Sequence, residues 1–202
     1  MSQVEDLVAV PPYPPFITID ELRAAVQSAI EDETLANSMI EMACAAVRAE
    51  VSQTINVVED DEVTLDGNGA QVLCLPELQV ISVSEIALAG RVLGEDEYDW
   101  SSSGQIWRRS RPQHRYGWNP DGPVWPRVPR VVSVTYDHGW VQGSPQLEAA
   151  RTVALGIAAR LFRNPDALQS ERIGDYSRAF VPTAAKGDMT EAERDILDPL
   201  RP

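Results

Sequence analysis

"SPQLEAARTVALGIAARLFRNPDALQSERIGDYSRAF", residues 144–180, holds the clearest helix of the chain and an abrupt stop. Ser144 is a favoured N-cap, and Pro145 stands at the first helical position, where its missing N–H costs nothing. Val153, Ala154, Ile157, Ala158, Leu161 and Phe162 recur at three- and four-residue spacing and make one apolar stripe. Arg160 and Arg163 suit the negative end of the helix dipole. Asn164-Pro165 ends the helix, because the residue before a proline avoids the helical region. Beyond it, Ile173, Tyr176, Ala179 and Phe180 keep neither the strand nor the helix period, so the segment reads as an arm that does not bury itself. An arm of this kind points first to assembly.

The flanks extend that pattern. Toward the C-terminus, Thr190 and Glu193 have capping-box spacing, and Ile196 and Leu197 support a short helix ended by Asp198-Pro199. At the other end, "VPPYPPF" favours extended polyproline geometry, so residues 1–17 read as a second arm, free or laid along another subunit. Thr18 and Glu21 then cap a helix with Leu22, Val26, Ala29 and Ile30 on one face. Thr34 or Asp32 opens a longer helix to about Thr54, with Leu35, Met39, Met42, Ala46 and Val47 as its buried face. The short "EDET" link packs these two helices against each other.

From Val57 to Gly139 the period becomes two. "EVTLDGNGAQVLCL" predicts a hairpin turning at residues 66–69, with Val63 and Leu65 going out and Val72, Leu73 and Leu75 returning. Val80 to Leu88 is a third strand, Tyr98–Trp100 and residues 106–108 form a hairpin across "SSSG", and residues 130–136 close the region with Val132 and Val134 on one face. Residues 109–129 are a long loop rich in Pro, Trp and Arg.

The expected fold class is therefore α+β: a small helical bundle with an inserted antiparallel β-sheet subdomain and extended N- and C-terminal arms. The bundle takes residues 18–56 and 144–164, the β subdomain 57–139, and the C-terminal arm and short helix 165–202. One small bundle and a modest sheet leave apolar surface for other copies to cover.

Charge narrows the function. The 202 residues carry a formal −14, which opposes a general nucleic-acid binder and adhesion to anionic membranes. The distribution is uneven: residues 1–100 hold 20 acids against Arg23, Arg48 and Arg91, whereas residues 101–136 hold six Arg and only Asp121. No segment of roughly 20 uninterrupted apolar residues offers a membrane span. Cys44 and Cys74, far apart in apolar runs, read as two buried thiols rather than a disulfide or metal knuckle. The acidic, proline-rich N-terminus has no basic n-region, so assembly in a cytoplasm is expected.

Catalytic patterns are weak. Asp137 and His138 are adjacent on a strand end and point to opposite faces, so they do not make one site, and "DHG" reads as a turn. His114 lies in the Arg-rich loop without a paired carboxylate. No Ser occupies a nucleophile elbow, and "DGNG" lacks the spacing of a phosphate or calcium loop. The run Glu59-Asp60-Asp61-Glu62 and the cluster Glu95, Asp96, Glu97 and Asp99 read as solvated acidic turns rather than cation sites. No enzyme, metal or cofactor is expected. The one constellation able to bind is the loop, where Trp107, Arg108, Arg109, Arg111, Arg115, Tyr116, Trp118 and Trp125 interleave cations and aromatics. These are hot-spot residues of protein interfaces, they also suit stacking on bases, and the loop can instead fold back over the sheet.

The order of these elements, with "VTLDGNGAQVLCLPELQVISVSEIALAG", "RVVSVTYDHGW", "RNPDALQSERIGDYSRAF" and "MTEAERDIL", resembles the head-to-tail adaptor (connector) proteins of long-tailed bacteriophages, particularly those of actinobacterial phages. The likeness covers about residues 18–200, and the "VPPYPPF" arm and the Trp/Arg loop are less typical of it. The resemblance implies a virion protein assembled in the host cytoplasm. It would form a ring, usually of twelve copies, beneath the portal protein at the unique capsid vertex. Such a ring extends the DNA channel, lets DNA pass without specific binding, and carries the stopper or tail protein. It implies portal docking through the C-terminal portion, here Arg172, Ile173, Tyr176, Arg178, Phe180, Ile196 and Leu197. The sheet and its loop, with Trp107, Arg108, Arg109, Arg111, Tyr116, Trp118 and Trp125, would face a neighbouring subunit or the next ring. A stopper or other tail-completion ring is the nearest alternative, disfavoured by the helix content. A nucleic-acid-binding module using residues 107–130 is the alternative of another class.

Overall fold

The computed structural model describes residues 13–109, 123–163, 170–173, 176–179 and 189–202, with the backbone alone for residues 170–173 and 176–179. Helix α1 (Ile19–Val26) starts at a complete Thr18/Glu21 capping box and stops where Gln27 turns left-handed at φ 54°. That stop leaves Ala29 outside the helix and exposed, while Ile30 is buried. Helix α2 (Glu33–Val51) is capped by Asp32, whose carboxylate accepts from the Leu35 N–H at 2.9 Å, and it ends three residues short of Thr54 at Ser52. Its buried face is Ala36, Ile40, Ala43, Cys44, Val47 and Val51, so the expected face was rotated: Met42 is exposed and Leu35 and Met39 are only half-buried. Three of the six buried residues, Ala36, Ala43 and Cys44, are small, and α2 packs against α3 in the helical core.

Helix α3 (Pro145–Arg163) follows the sequence reading, including the Ser144 cap on the Leu147 N–H. Val153, Ala154, Ile157 and Ala158 are buried, with Leu161 and Phe162 half-buried beside them. Helix α4 (Glu191–Leu197) carries the second capping box, Thr190 with Glu193, and runs into a 3₁₀ turn at Asp198–Leu200. It is not part of a free arm. Met189, Leu197 and Leu200 are buried in the helical core, and Glu193 holds Arg160 of α3 through two oxygens at 2.7 and 3.0 Å. At the N-terminal arm the correction reaches its last two residues, since Phe16 and Ile17 are core residues packed with α1 and α2, while residues 1–12 lie outside the described ones.

The β region has two sheets. A four-stranded antiparallel sheet runs β1 (Val58–Leu65), β7 (Val132–His138), β3 (Val80–Leu88), β4 (Arg91–Val92). A three-stranded one runs β2 (Val72–Cys74), β6 (Gln105–Arg108), β5 (Tyr98–Trp100). The expected hairpin at residues 66–69 does not form: β1 pairs with β7 and β2 with β6, so "DGNG" carries the chain from one sheet to the other. The acidic run is not a turn either. It lies inside β1, where Asp60 at φ 52° makes a bulge between Val58 and Asp61. The hairpin across "SSSG" forms as expected between β5 and β6. A third, backbone-described hairpin pairs β8 (Ser170–Ile173) with β9 (Tyr176–Ala179), in a segment whose residues keep no clear period.

Val132, Val134 and Tyr136 on one face of β7 join Ile86, Ile106, Leu73 and Trp125 in a β core separate from the helical one. Two chain crossings join them. At the first, the amide of Gln53 bonds the Pro76 carbonyl (3.0 Å) and the Leu78 N–H, and Glu77 accepts from the Thr54 N–H (2.7 Å) and hydroxyl (3.2 Å). At the second, Gly139 donates to the Gln79 carbonyl and Trp140 to that of Ile55. Ordering both crossings with buried polar bonds fixes how the cores face each other.

Candidate functional site

The Trp/Arg region divides into a folded base and residues beyond the described ones. Residues 123–131 form a strap laced to the inter-sheet segment. Trp125 donates to the Ala70 carbonyl, Gly69 to that of Trp125 (2.8 Å), Gly67 to that of Val128 (2.9 Å), and Ala89 to that of Val131. Gly67 is required at this crossing, since a Cβ there would lie 1.7 Å from the Pro126 carbonyl oxygen. Trp125 is fully buried in the β core, and its indole N–H donates to the Ile106 carbonyl at 3.3 Å. The expectation of an interface role for Trp125 is thereby overturned: it has no surface to offer a partner. Arg108 lies over its ring at 5.2 Å, half-buried, with Nε and Nη1 buried and unbonded. Burial pushes the Arg108 guanidinium down from its ordinary value, and nearby Glu97 partly offsets this. Arg109 is exposed and paired with Asp99, and Trp107 is half-buried on β6. Arg111, Tyr116 and Trp118 lie outside the described residues, as does His114.

The C-terminal candidates divide too. Arg172, Ile173, Tyr176 and Arg178 stand on the β8–β9 hairpin, with Arg172 paired to Ser177, Ile173 to Tyr176, and Arg178 to Glu171. Phe180 lies outside the described residues. On α4, Ile196 is 43% exposed and able to meet a partner, whereas Leu197 is fully buried in the chain's own bundle, which corrects its expected docking role.

The acids are tied into specific pairs. The Arg91 guanidinium bonds both oxygens of Glu97 and holds that carboxyl down to about 2. Asp137 is lowered by the Asp60 N–H and the Ser82 hydroxyl. Burial alone would raise Glu193, but its bonds from Arg160 and Thr190 outweigh that and lower it. Glu21, bonded to Thr18 and Arg151, behaves the same way. Arg194 and Arg201 converge on Glu50.

The chemistry-bearing groups do not assemble. His138 is buried on the last residue of β7, its Nε2 is 3.2 Å from Asp61 Oδ2, and its ring stacks on Tyr136. Asp137 points to the other face of the same strand, as adjacent strand residues must. Burial pushes the Tyr136 phenol well above its usual range, so it does not serve as a base near neutral pH. Among the described residues, no three His, Cys, Asp or Glu side chains gather to hold a metal. Of the two free thiols Cys44 is buried, but Cys74 is exposed, contrary to expectation, because at the end of β2 it faces outward between the buried Leu73 and Leu75. No described helix is long and apolar enough to cross a membrane.

No family model matches the sequence, and no curated protein does. Solved structures do share the fold. A chain in the neck of an empty GTA particle computed with C6 symmetry superposes with a TM-score of 0.52 at 13% identity, over 96% of this chain and 93% of that one. A chain in the neck of a native GTA particle computed with C12 symmetry gives 0.52 at 14% identity, over 96% and 92%. One in the virion of a native gene transfer agent (GTA) particle gives 0.50 at 14% identity, over 96% and 93%. The shared fold thus extends over nearly the whole chain.

Proposed function

We propose that this chain is a structural subunit of the neck of a tailed, phage-like particle. More specifically, we propose a head-to-tail adaptor whose copies form a ring, twelve in number, beneath the portal. The observation that carries this is the fold shared over 96% of the chain with a neck chain from a C12-symmetric assembly. The order of sequence elements that resembles adaptors leads to the same reading independently.

The electrostatics support a channel role. Twelve copies at −14 each make an assembly whose walls repel phosphate. Acidic walls also forgo the counterion-release gain that makes basic surfaces hold DNA. Two of the arginines that a nucleic-acid reading would use are engaged elsewhere: Arg108 covers Trp125 and Arg109 pairs with Asp99. In this reading the β8–β9 hairpin and the exposed Ile196 of α4 meet the portal, and Trp107 and the loop after Arg109 meet a neighbouring subunit, the stopper or the tail.

Silencing the gene during particle production tests the assignment. The expected result is DNA-filled heads that lack tails, restored by supplying the chain in trans. Normal yields of tailed particles would refute it.

A further inference from the structure

Residues Tyr13, Pro14 and Pro15 lie across α2 and leave an open groove of about 600 Å³ between themselves and that helix. The volume lies in the range of sites that take a small ligand or a short peptide. One wall is Tyr13 and Pro15, and the other is the exposed Ala45 and Ala49 of α2, with Glu41 at the rim. Arg48 crosses between the walls. Its Nη2 donates to the Pro14 carbonyl at 2.6 Å and to Asn56 Oδ1 at 2.7 Å, and its guanidinium lies over the Tyr13 and Phe16 rings. Its Nε is buried without a partner. The groove therefore already holds one extended, proline-rich segment by a backbone carbonyl and aromatic packing, and it has room for more.

Twelve residues of this sequence, "MSQVEDLVAVPP", precede Tyr13 at the groove's rim. Residues 7–12 are apolar throughout, matching walls of alanine, proline and tyrosine. They leave from a residue that is itself a wall. Val10, Pro11, Tyr13 and Pro14 each stand before a proline, which disfavours a tight reversal back over α2. At about 3.1 Å per residue, twelve extended residues reach roughly 37 Å, beyond the roughly 28 Å length of the 19-residue α2.

We propose that the α2 groove is the receptor for the N-terminal segment of a second copy, residues 7–12 of one subunit lying between Tyr13 and α2 of the next. Head-to-tail exchange of this kind closes into a ring, so the inference rests on the ring reading and supplies its subunit-to-subunit grip. It also assigns a use to the proline-rich arm that the adaptor resemblance left open.

The test is a cross-link in assembled particles containing the full chain with Val8→Cys and Ala49→Cys in a Cys44→Ala, Cys74→Ser background, since Cys44 also lines the groove; the two single-cysteine chains in that background serve as controls. After mild oxidation, a ladder of covalent multimers is expected from the double-cysteine chain alone. A monomer carrying an internal cross-link places the arm in its own groove and overturns the proposal, as does an uncross-linked chain in particles where it is present. Cross-links that stop at dimers keep the groove assignment but defeat the ring, and a chain absent from particles defeats the neck reading itself. Ala45→Trp gives a second readout by filling the groove from an exposed position. It is expected to leave the melting temperature of the isolated chain unchanged while lowering incorporation into particles at least tenfold; unchanged incorporation would overturn the proposal.

Discussion

Trp125→Ala separates a core role from an interface role for the Trp/Arg loop. Trp125 is 0% exposed, closes the β core against Ile106 and Val134, and anchors the strap to the inter-sheet segment. Truncating a buried Trp to Ala costs about 3–5 kcal/mol, because the lost transfer energy adds to the cavity left behind. The lost indole bond to the Ile106 carbonyl adds about 1 kcal/mol. Arg108 would lose the ring it lies over while its Nε and Nη1 stay buried, so no compensation is expected from that side. For a chain of this length each kcal/mol moves the midpoint by about 2–4 °C, so Trp125→Ala should lower the melting temperature by roughly 10–20 °C. Thermal unfolding of the isolated chain, followed by near-ultraviolet circular dichroism, measures this directly. Trp107→Ala, at a half-buried position, is the control and should cost only a few degrees. A shift under about 3 °C for Trp125→Ala, with assembly lost instead, would refute the core placement.

Two further perturbations address other joints. Glu193→Gln should release α4 from α3, since Glu193 holds Arg160 and closes its own capping box; the expected loss is about 1–3 kcal/mol, seen as faster amide exchange confined to residues 189–202. The folded-state pKa of Glu193 lies below its ordinary 4.5, so its contribution is present above pH 4.5 and fades as pH falls through the folded value; Glu21 shares the sign. The wild type should therefore loosen α4 on acidification below 4.5, and the Gln variant should show α4 already loosened at neutral pH. Gly67→Ala forces a Cβ onto the Pro126 carbonyl and should cost at least the upper end of roughly 1–3 kcal/mol, read from the denaturation midpoint in urea; an unchanged midpoint would show that the strap is not seated as described.

The helices were readable because their signals are local. Caps at Thr18, Asp32, Ser144 and Thr190 and the stripe of α3 involve residues within a turn or two of one another. The buried face of α2 differs from the expected one because size marks hydrophobicity in the sequence, whereas the small Ala36, Ala43 and Cys44 are buried and the large Met42 is exposed. The "DGNG" hairpin failed for a related reason. Turn propensity is local, but Gly67 and Gly69 were selected by a strap about 60 residues downstream, whose carbonyls they approach. Strand pairing across that distance leaves no periodic mark. The same limit hid the burial of Trp125 and Leu197, which looked like sticky surface in a proline-rich loop and a terminal helix. Charge asymmetry was visible in composition, whereas the pairing of Arg91 with Glu97 and Arg160 with Glu193 needed the fold.

The central claim is tested most directly by a symmetry-averaged image of the assembled neck, with this chain located by a bound antibody fragment. The account predicts a closed ring of twelve copies beneath the portal, enclosing a DNA channel with an acidic wall. Antibody density distributed over the capsid or along the tail, or density at the vertex that forms no ring, would contradict it.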